Sequence, residues 1–167
     1  MNGHKGFTLI ELVVVMSLIV MMIGLTMPKI RTSLLSDGLK RTALRMVGMA
    51  SNLKDEAVRE QRSYALHLDM ARQQYWIGFA AMTEEEQALA LDNAEKLPRD
   101  VQILDVWFKE GGKVTEGEAA ILFFKKGYVQ PSAIHLGADD GRRFTLVLSP
   151  FVGNVKVMET YVDFENE

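Results

Sequence analysis

The feature that most constrains this chain is a run near its start, Phe7–Met27 (FTLIELVVVMSLIVMMIGLTM), whose 21 residues include one charge, Glu11. As a helix rising about 1.5 Å per residue it would reach roughly 31 Å, the thickness of a bilayer hydrocarbon core. The run is apolar all round, which argues against a helix buried on one face of a soluble domain. A cleaved secretory signal should have a shorter apolar core, about 7–15 residues, followed by a small-residue cleavage site. Here the small residue, Gly6, precedes the run. The expectation is a single membrane-spanning helix.

Whole-chain totals conceal this run. The 167 residues are 48% hydrophobic and 25% charged, with a formal net charge of −3, figures ordinary for a soluble domain. Beyond the run about 140 residues remain, enough for one globular domain with its own core. A collagen-like chain, a disordered polyelectrolyte and a multipass membrane protein are excluded. With no cysteine, so are disulfide, zinc-thiolate and iron–sulfur chemistry. The absence of cysteine suits a reducing cytoplasm and equally an exported protein without bridges.

Glu11 is the anomaly. A carboxylate in hydrocarbon costs roughly 2.5–3.5 kcal/mol on insertion scales unless it is paired or protonated. It either sits one turn inside the helix and reaches the headgroups, or has a partner. An α-amino group on a neighbouring chain would serve if the chain were cut just before Phe7, and the pair would form only on association.

Gly6-Phe7-Thr8-Leu9-Ile10-Glu11 resembles the class III signal of type IV pilins and type II secretion pseudopilins. Lys5 fits their short basic leader, and Pro28 stands where many members have a helix-bending proline. The resemblance implies cleavage by prepilin peptidase between Gly6 and Phe7, N-methylation of Phe7, and a filament-assembly role for Glu11, which neutralises an amine in the growing filament. Basic residues give no support for the orientation: Lys5 precedes the run, but Lys29, Arg31, Lys40, Arg41 and Arg45 follow it. A cytoplasmic leader and a periplasmic bulk are implied by the resemblance alone.

Past the run the helical pattern continues. Pro28 removes a backbone hydrogen bond and Gly24 lies one turn earlier, so a helix bend is expected at Gly24 and Pro28. Leu35, Leu39, Ala43, Met46, Ala50, Leu53 and Ala57 recur at steps of three or four, a core-facing stripe. Gly38 and Gly48 weaken the helix by about 1 kcal/mol each relative to alanine. One helix from about Phe7 to about Arg62 is expected. Tyr64–Asp69 and Gln74–Phe79 read as a hairpin around Met70–Gln73, and Thr83-Glu-Glu-Glu as a helix start. Val101–Phe108, Ala119–Phe124 and Phe144–Leu148 read as strands and Asn154–Phe164 as a final strand. Glycine-bearing turns are expected at Glu110–Lys113, Lys126-Gly127, Ala138–Gly141 and Pro150–Gly153. A long amphipathic helix followed by short strands suggests an α+β fold, the helix packed on antiparallel sheet.

Leu97–Ile103, Phe123-Phe-Lys-Lys-Gly127, Pro131–Leu136 and Phe144–Pro150 with Gly153-Asn-Val155 are similar to the minor pseudopilin H and FimT-type group. There a strand leads to an F-x-x-x-G turn, an I-x-L strand and a V-x-P-x-x-G-x-V ending. Leu148 and Phe151 loosen that ending, and the acidic tail Tyr161–Glu167 runs past where such a chain should stop. Neither the short domain nor the calcium loop of a major pseudopilin is evident.

Other chemistry is poorly supported. His67 and His135 sit in strand-like segments without clustered carboxylates and read as surface or satisfied histidines rather than metal ligands. Asp139-Asp140-Gly141 reads as a hairpin turn rather than a cation site. Ser63 and Ser149 lack a nucleophile motif, and there is no phosphate-binding glycine loop. Trp76 and Trp107 read as sheet residues. No catalytic residue, metal ligand or cofactor is assigned. Without residues 1–28 the chain keeps 18 basic and 21 acidic residues, a balance that argues against nucleic acid as a partner.

The resulting expectation is a non-catalytic pseudopilus subunit of type II secretion. Residues 1–6 form the leader, 7–28 the transmembrane and filament-core helix, 29–62 its amphipathic continuation, and 63–167 a periplasmic β-rich domain. The resemblance implies an inner-membrane location with one span. It implies as partners prepilin peptidase, major and other minor pseudopilins, the assembly platform, the lipid bilayer and secreted cargo. A FimT-type minor pilin serving adhesion, motility or DNA uptake, and a membrane-anchored periplasmic binding domain, stand as alternatives.

Overall fold

The computed structural model describes residues 9–150 and 155–164, with the side chains of residues 23–37 outside the description. The chain divides into two units, Met1–Asp37 and Gly38–Glu167. The described part of the first is helical and belongs to α1, Leu9–Arg59. The expected bend at Gly24 and Pro28 falls on side chains outside the description.

In the second unit α1 supplies the core stripe. Leu39, Ala43, Met46, Ala50, Leu53 and Ala57 are all buried, as the three-and-four spacing predicts; Leu35 lies outside the description. The stripe holds two rows at seven-residue intervals, one large (Leu39, Met46, Leu53) and one small (Ala43, Ala50, Ala57). At Gly38 a Cβ would come within 2.3 Å of Asp100 Oδ2, so glycine here permits a close approach. The helix ends at Arg59 rather than Arg62. Gln61 takes a left-handed φ of 51°. The Arg62 N–H then reaches the Ala57 carbonyl and the Gln61 N–H that of Val58, the pairing of a Schellman stop.

The other described elements are β1 (Tyr64–Asp69), β2 (Gln74–Phe79), α2 (Glu84–Asp92), β3 (Glu95–Lys96), β4 (Val101–Phe108), β5 (Gly112–Val114), β6 (Glu118–Phe123), β7 (Ser132–Ala138), β8 (Arg143–Leu148) and β9 (Lys156–Met158). They form two sheets, ordered β3-β2-β1-β6 and β5-β4-β7-β8-β9, and every pairing is antiparallel. The chain leaves the first sheet after β3, returns to it for β6 and ends in the second. The α+β expectation holds.

The hairpin β1–β2 forms as expected, because the Asp69 carboxylate accepts the N–H groups of Ala71 and Arg72. Thr83 caps α2 in a reciprocal capping box with Glu86. The expected turn at Glu110–Lys113 ends early, since Gly112-Lys113 already pair with β4 as β5. The expected strand Asn154–Phe164 is shorter than predicted: only Lys156–Met158 joins the ladder, for reasons that lie in the face it meets.

One core cluster joins the stripe of α1 to apolar residues of both sheets, among them Leu66, Leu68, Ile121, Val106, Ile134 and Leu146. In β4 the inward residues are Val101 and Ile103, then Val106 and Phe108. Strict alternation fails because the register shifts between Ile103 and Asp105. That bulge at Leu104 re-aims the strand. The Gln73 side-chain amide satisfies Ile103 beside it, accepting from its N–H at 2.7 Å and donating to its carbonyl at 3.2 Å. After the bulge Asp105 and Trp107 point away from the core.

Candidate functional site

Two regions carry more chemistry than folding requires. The first is the start of α1. Its apolar side chains are exposed on every side, from Leu9 (82%) and Ile10 (73%) through Met16 (57%) to Met22 (71%). Such a surface on a described segment demands a partner or a lipid environment. Ser17 returns its hydroxyl to the Val13 carbonyl at 2.9 Å, so the one hydroxyl in this stretch is satisfied within the helix. Glu11 lies in the first turn of α1. Gly6 and Phe7 lie outside the described residues. Among the described residues no helix is long and apolar enough to cross a membrane. Of Phe7–Met27, the described side chains cover Leu9–Met22, shorter than the roughly 20 residues a span requires.

The second region is the outer face of the second sheet. Cross-strand register places Asp105, His135 and Thr145 side by side on β4, β7 and β8. All three are buried. His135 Nδ1 lies 2.6 Å from Asp105 Oδ1 and Nε2 lies 2.8 Å from the Val162 carbonyl. The Val162 carbonyl can only accept, so Nε2 donates to it, and a single proton between Nδ1 and Oδ1 makes the other bond. The Tyr161 hydroxyl donates to Asp105 Oδ2 at 3.0 Å, and its ring stacks on His135 at 4.2 Å. Burial and the carboxylate bond push the Tyr161 phenol up, while Lys113 pulls it the other way.

This row explains the short last strand. After β9 the chain turns across the sheet face instead of along its edge. Thr145 Oγ1 donates to the Thr160 carbonyl at 2.7 Å and accepts the Val162 N–H at 3.1 Å. Phe164 packs on Trp107, with ring centres 4.9 Å apart, and Asp163 lies 3.5 Å from Lys113 Nζ. The tail's polar groups are thus taken by side chains and not by a ladder.

Each of His67 and His135 meets one carboxylate rather than a cluster of them. His67 Nδ1 lies 2.6 Å from Glu118 Oε1, and its ring stacks on Trp76 at 5.1 Å. Glu118 and Asp105 are far from their histidines in sequence and arrive through strand pairing. Asp140 does occupy a turn, where its carboxylate accepts from Arg142 and the backbone takes a positive φ at Gly141. Among the described residues no group of three His, Cys, Asp or Glu side chains is placed to hold a metal ion.

A helix with an exposed apolar start, continuing into a domain where it covers antiparallel sheet, defines a pilin-like subunit. Comparisons with known proteins agree. Residues 1–27 match the family model of the prokaryotic N-terminal methylation motif. The fold matches two solved structures of the minor pseudopilin EpsH from the type II secretion system of Vibrio cholerae, with TM-scores of 0.50 and 0.52 at 12% and 16% identity. These matches cover 74% and 76% of this chain, and 98% and 97% of the solved ones. The chain is also 32% identical over 151 residues to type II secretion system protein H of Pseudomonas aeruginosa, covering 89% of this chain and 85% of that protein. It belongs to the type II secretion system protein H family, the minor pseudopilins.

Proposed function

We propose that this minor pseudopilin is made with a leader of residues 1–6, cut by prepilin peptidase between Gly6 and Phe7, and methylated on the new Phe7 amine. The observation that carries the reading is the methylation motif over residues 1–27, within which α1 begins with its apolar residues exposed all round. Before assembly, residues 7–28 anchor the chain in the bacterial inner membrane with residues 63–167 in the periplasm. In the pseudopilus the same helix packs among those of other pseudopilins, and residues 29–62 tie it to the domain. Glu11 accepts the charge of an amine as a subunit joins, which compensates its cost in an apolar environment. The role is structural, with no catalytic step and no cofactor. The assembly platform and secreted cargo complete the set of partners.

Two experiments test this. Mass spectrometry of the mature chain should find an N-methylated Phe7; an intact Met1 start in a strain with active peptidase would end the reading. Glu11→Ala should leave membrane insertion intact and impair incorporation into the pseudopilus. Unchanged incorporation would remove the role given to Glu11.

A further inference from the structure

The tail Tyr161–Phe164 belongs to no strand, yet it is held at every residue. Thr145 and His135 take its backbone: the Val162 N–H and carbonyl and the preceding Thr160 carbonyl. Contacts of this kind recognise an extended main chain whatever its sequence. The side chains then select. Tyr161 lies on His135 and reaches Asp105, Asp163 sits by Lys113, and Phe164 lies on Trp107. The register sets Ala133 beside Trp107, leaving room for a second ring.

We propose that this outer strip (Asp105, Trp107, Lys113, His135 and Thr145) is a docking site for an extended aromatic–acidic peptide segment. In this structure the chain's own tail occupies it, and the same kind of segment from another polypeptide takes it when the tail lifts.

Three observations support exchange. The apolar core lies on the opposite face of these strands, at Val106, Phe108, Ile134, Leu136 and Leu146, so lifting the tail uncovers no core. No residue of the tail is itself fully buried; Tyr161, Val162 and Phe164 are half-buried and Asp163 is exposed. The strip's flank is cationic, with Lys113 Nζ and the Arg143 guanidinium each within 6 Å of the Tyr161 ring, and the tail is acidic through Asp163, Glu165 and Glu167. A tethered tail competes at an effective concentration on the order of millimolar. A partner therefore gains the strip by arriving at high local concentration, as a neighbour in an assembly does.

The test uses the full chain in detergent micelles, intact and ending at Glu159, with a labelled peptide of residues 160–167 as the probe. The truncated chain should bind the peptide at least tenfold more tightly than the intact chain does, measured by fluorescence anisotropy. Thr145→Val in the truncated chain should weaken binding about tenfold, and a scrambled peptide should not bind. Equal binding by intact and truncated chains, or none by a truncated chain with an unchanged circular dichroism spectrum, overturns the proposal. Hydrogen exchange on the intact chain tests it without truncation. The Val162 amide should exchange at least tenfold faster than those of β8. Tail amides that exchange only together with β8, or a truncated chain that no longer folds, mark the tail as a fixed part of the fold and likewise overturn the proposal.

Discussion

Replacing His135 by leucine should destabilise the domain far more than its size change implies. The side chains of His135 and Asp105 are 1% and 7% exposed. Without the imidazole, the Asp105 carboxylate keeps the Tyr161 hydroxyl but loses its closest donor. Breaking a buried pair by removing one partner costs about 3–5 kcal/mol. The Val162 carbonyl also loses a donor, but at the edge of the tail water can replace it, so a figure of about 3 kcal/mol is expected. That is more than a hundredfold in the folded-to-unfolded ratio. Asp105→Leu should cost about 1–3 kcal/mol, since the histidine then lacks an acceptor at one nitrogen. The double variant removes both desolvation penalties and should return to within about 1 kcal/mol of the parent. Urea unfolding in mild detergent, followed by tryptophan fluorescence, reads the cycle, because Trp76 and Trp107 both lie in the second unit. If the double variant is as unstable as the sum of the two single variants, the buried-pair reasoning is refuted.

Other outcomes follow from local geometry. Gly48 is exposed on α1 with nothing within 4 Å of an added Cβ, so Gly48→Ala should stabilise the domain by about 1 kcal/mol in the same urea assay. Thr83→Ala removes the capping box of α2, a helix with no buried residue of its own. It should cost about 1 kcal/mol locally, seen as faster hydrogen exchange over Glu84–Asp92 without a matching change in global unfolding. The phenols of Tyr64 and Tyr75 are pushed up to about 12, Tyr64 chiefly by its bond to Glu60 and Tyr75 chiefly by burial. Because the folded values are raised, their stabilisation is complete below about pH 10 and is lost as pH rises towards 12. Ultraviolet difference titration should find Tyr64, Tyr75 and Tyr161 ionising above the ordinary tyrosine range, and unfolding beginning in that window.

The parts legible in sequence are those written at short range. The stripe from Leu39 to Ala57 is a helical period, the β1–β2 hairpin is set by Asp69 just before its turn, and Thr83 and Glu86 announce their helix three residues apart. The N-terminal motif is equally linear, one stretch from Gly6 to Glu11. What escaped depends on register. Asp105 faces His135 only because a bulge at Leu104 reverses the alternation of β4, and nothing in Val101–Phe108 marks which residue is the extra one. Glu118 reaches His67 only because β6 returns to pair with β1. The tail misread as a strand has a strand's apolar and aromatic composition, but its backbone is claimed by His135 and Thr145. These are pairings between residues about 15 to 50 apart, invisible to any periodicity.

The weave of the two sheets has a consequence for biogenesis. When the chain emerges N-terminus first, β1 and β2 can close their hairpin early, but the far side of β1 stays unpaired until Glu118–Phe123 arrives. In the interval the second sheet receives β4 and β5 and still lacks β7, which joins β4 to the remaining strands. Neither sheet can finish before the other has begun, so no half of the domain is a stable stopping point. The nascent domain passes through a stage with an open, apolar strand edge, the state most prone to pair with the wrong neighbour. Delay between residues 79 and 118 should be the most hazardous moment in the life of this subunit.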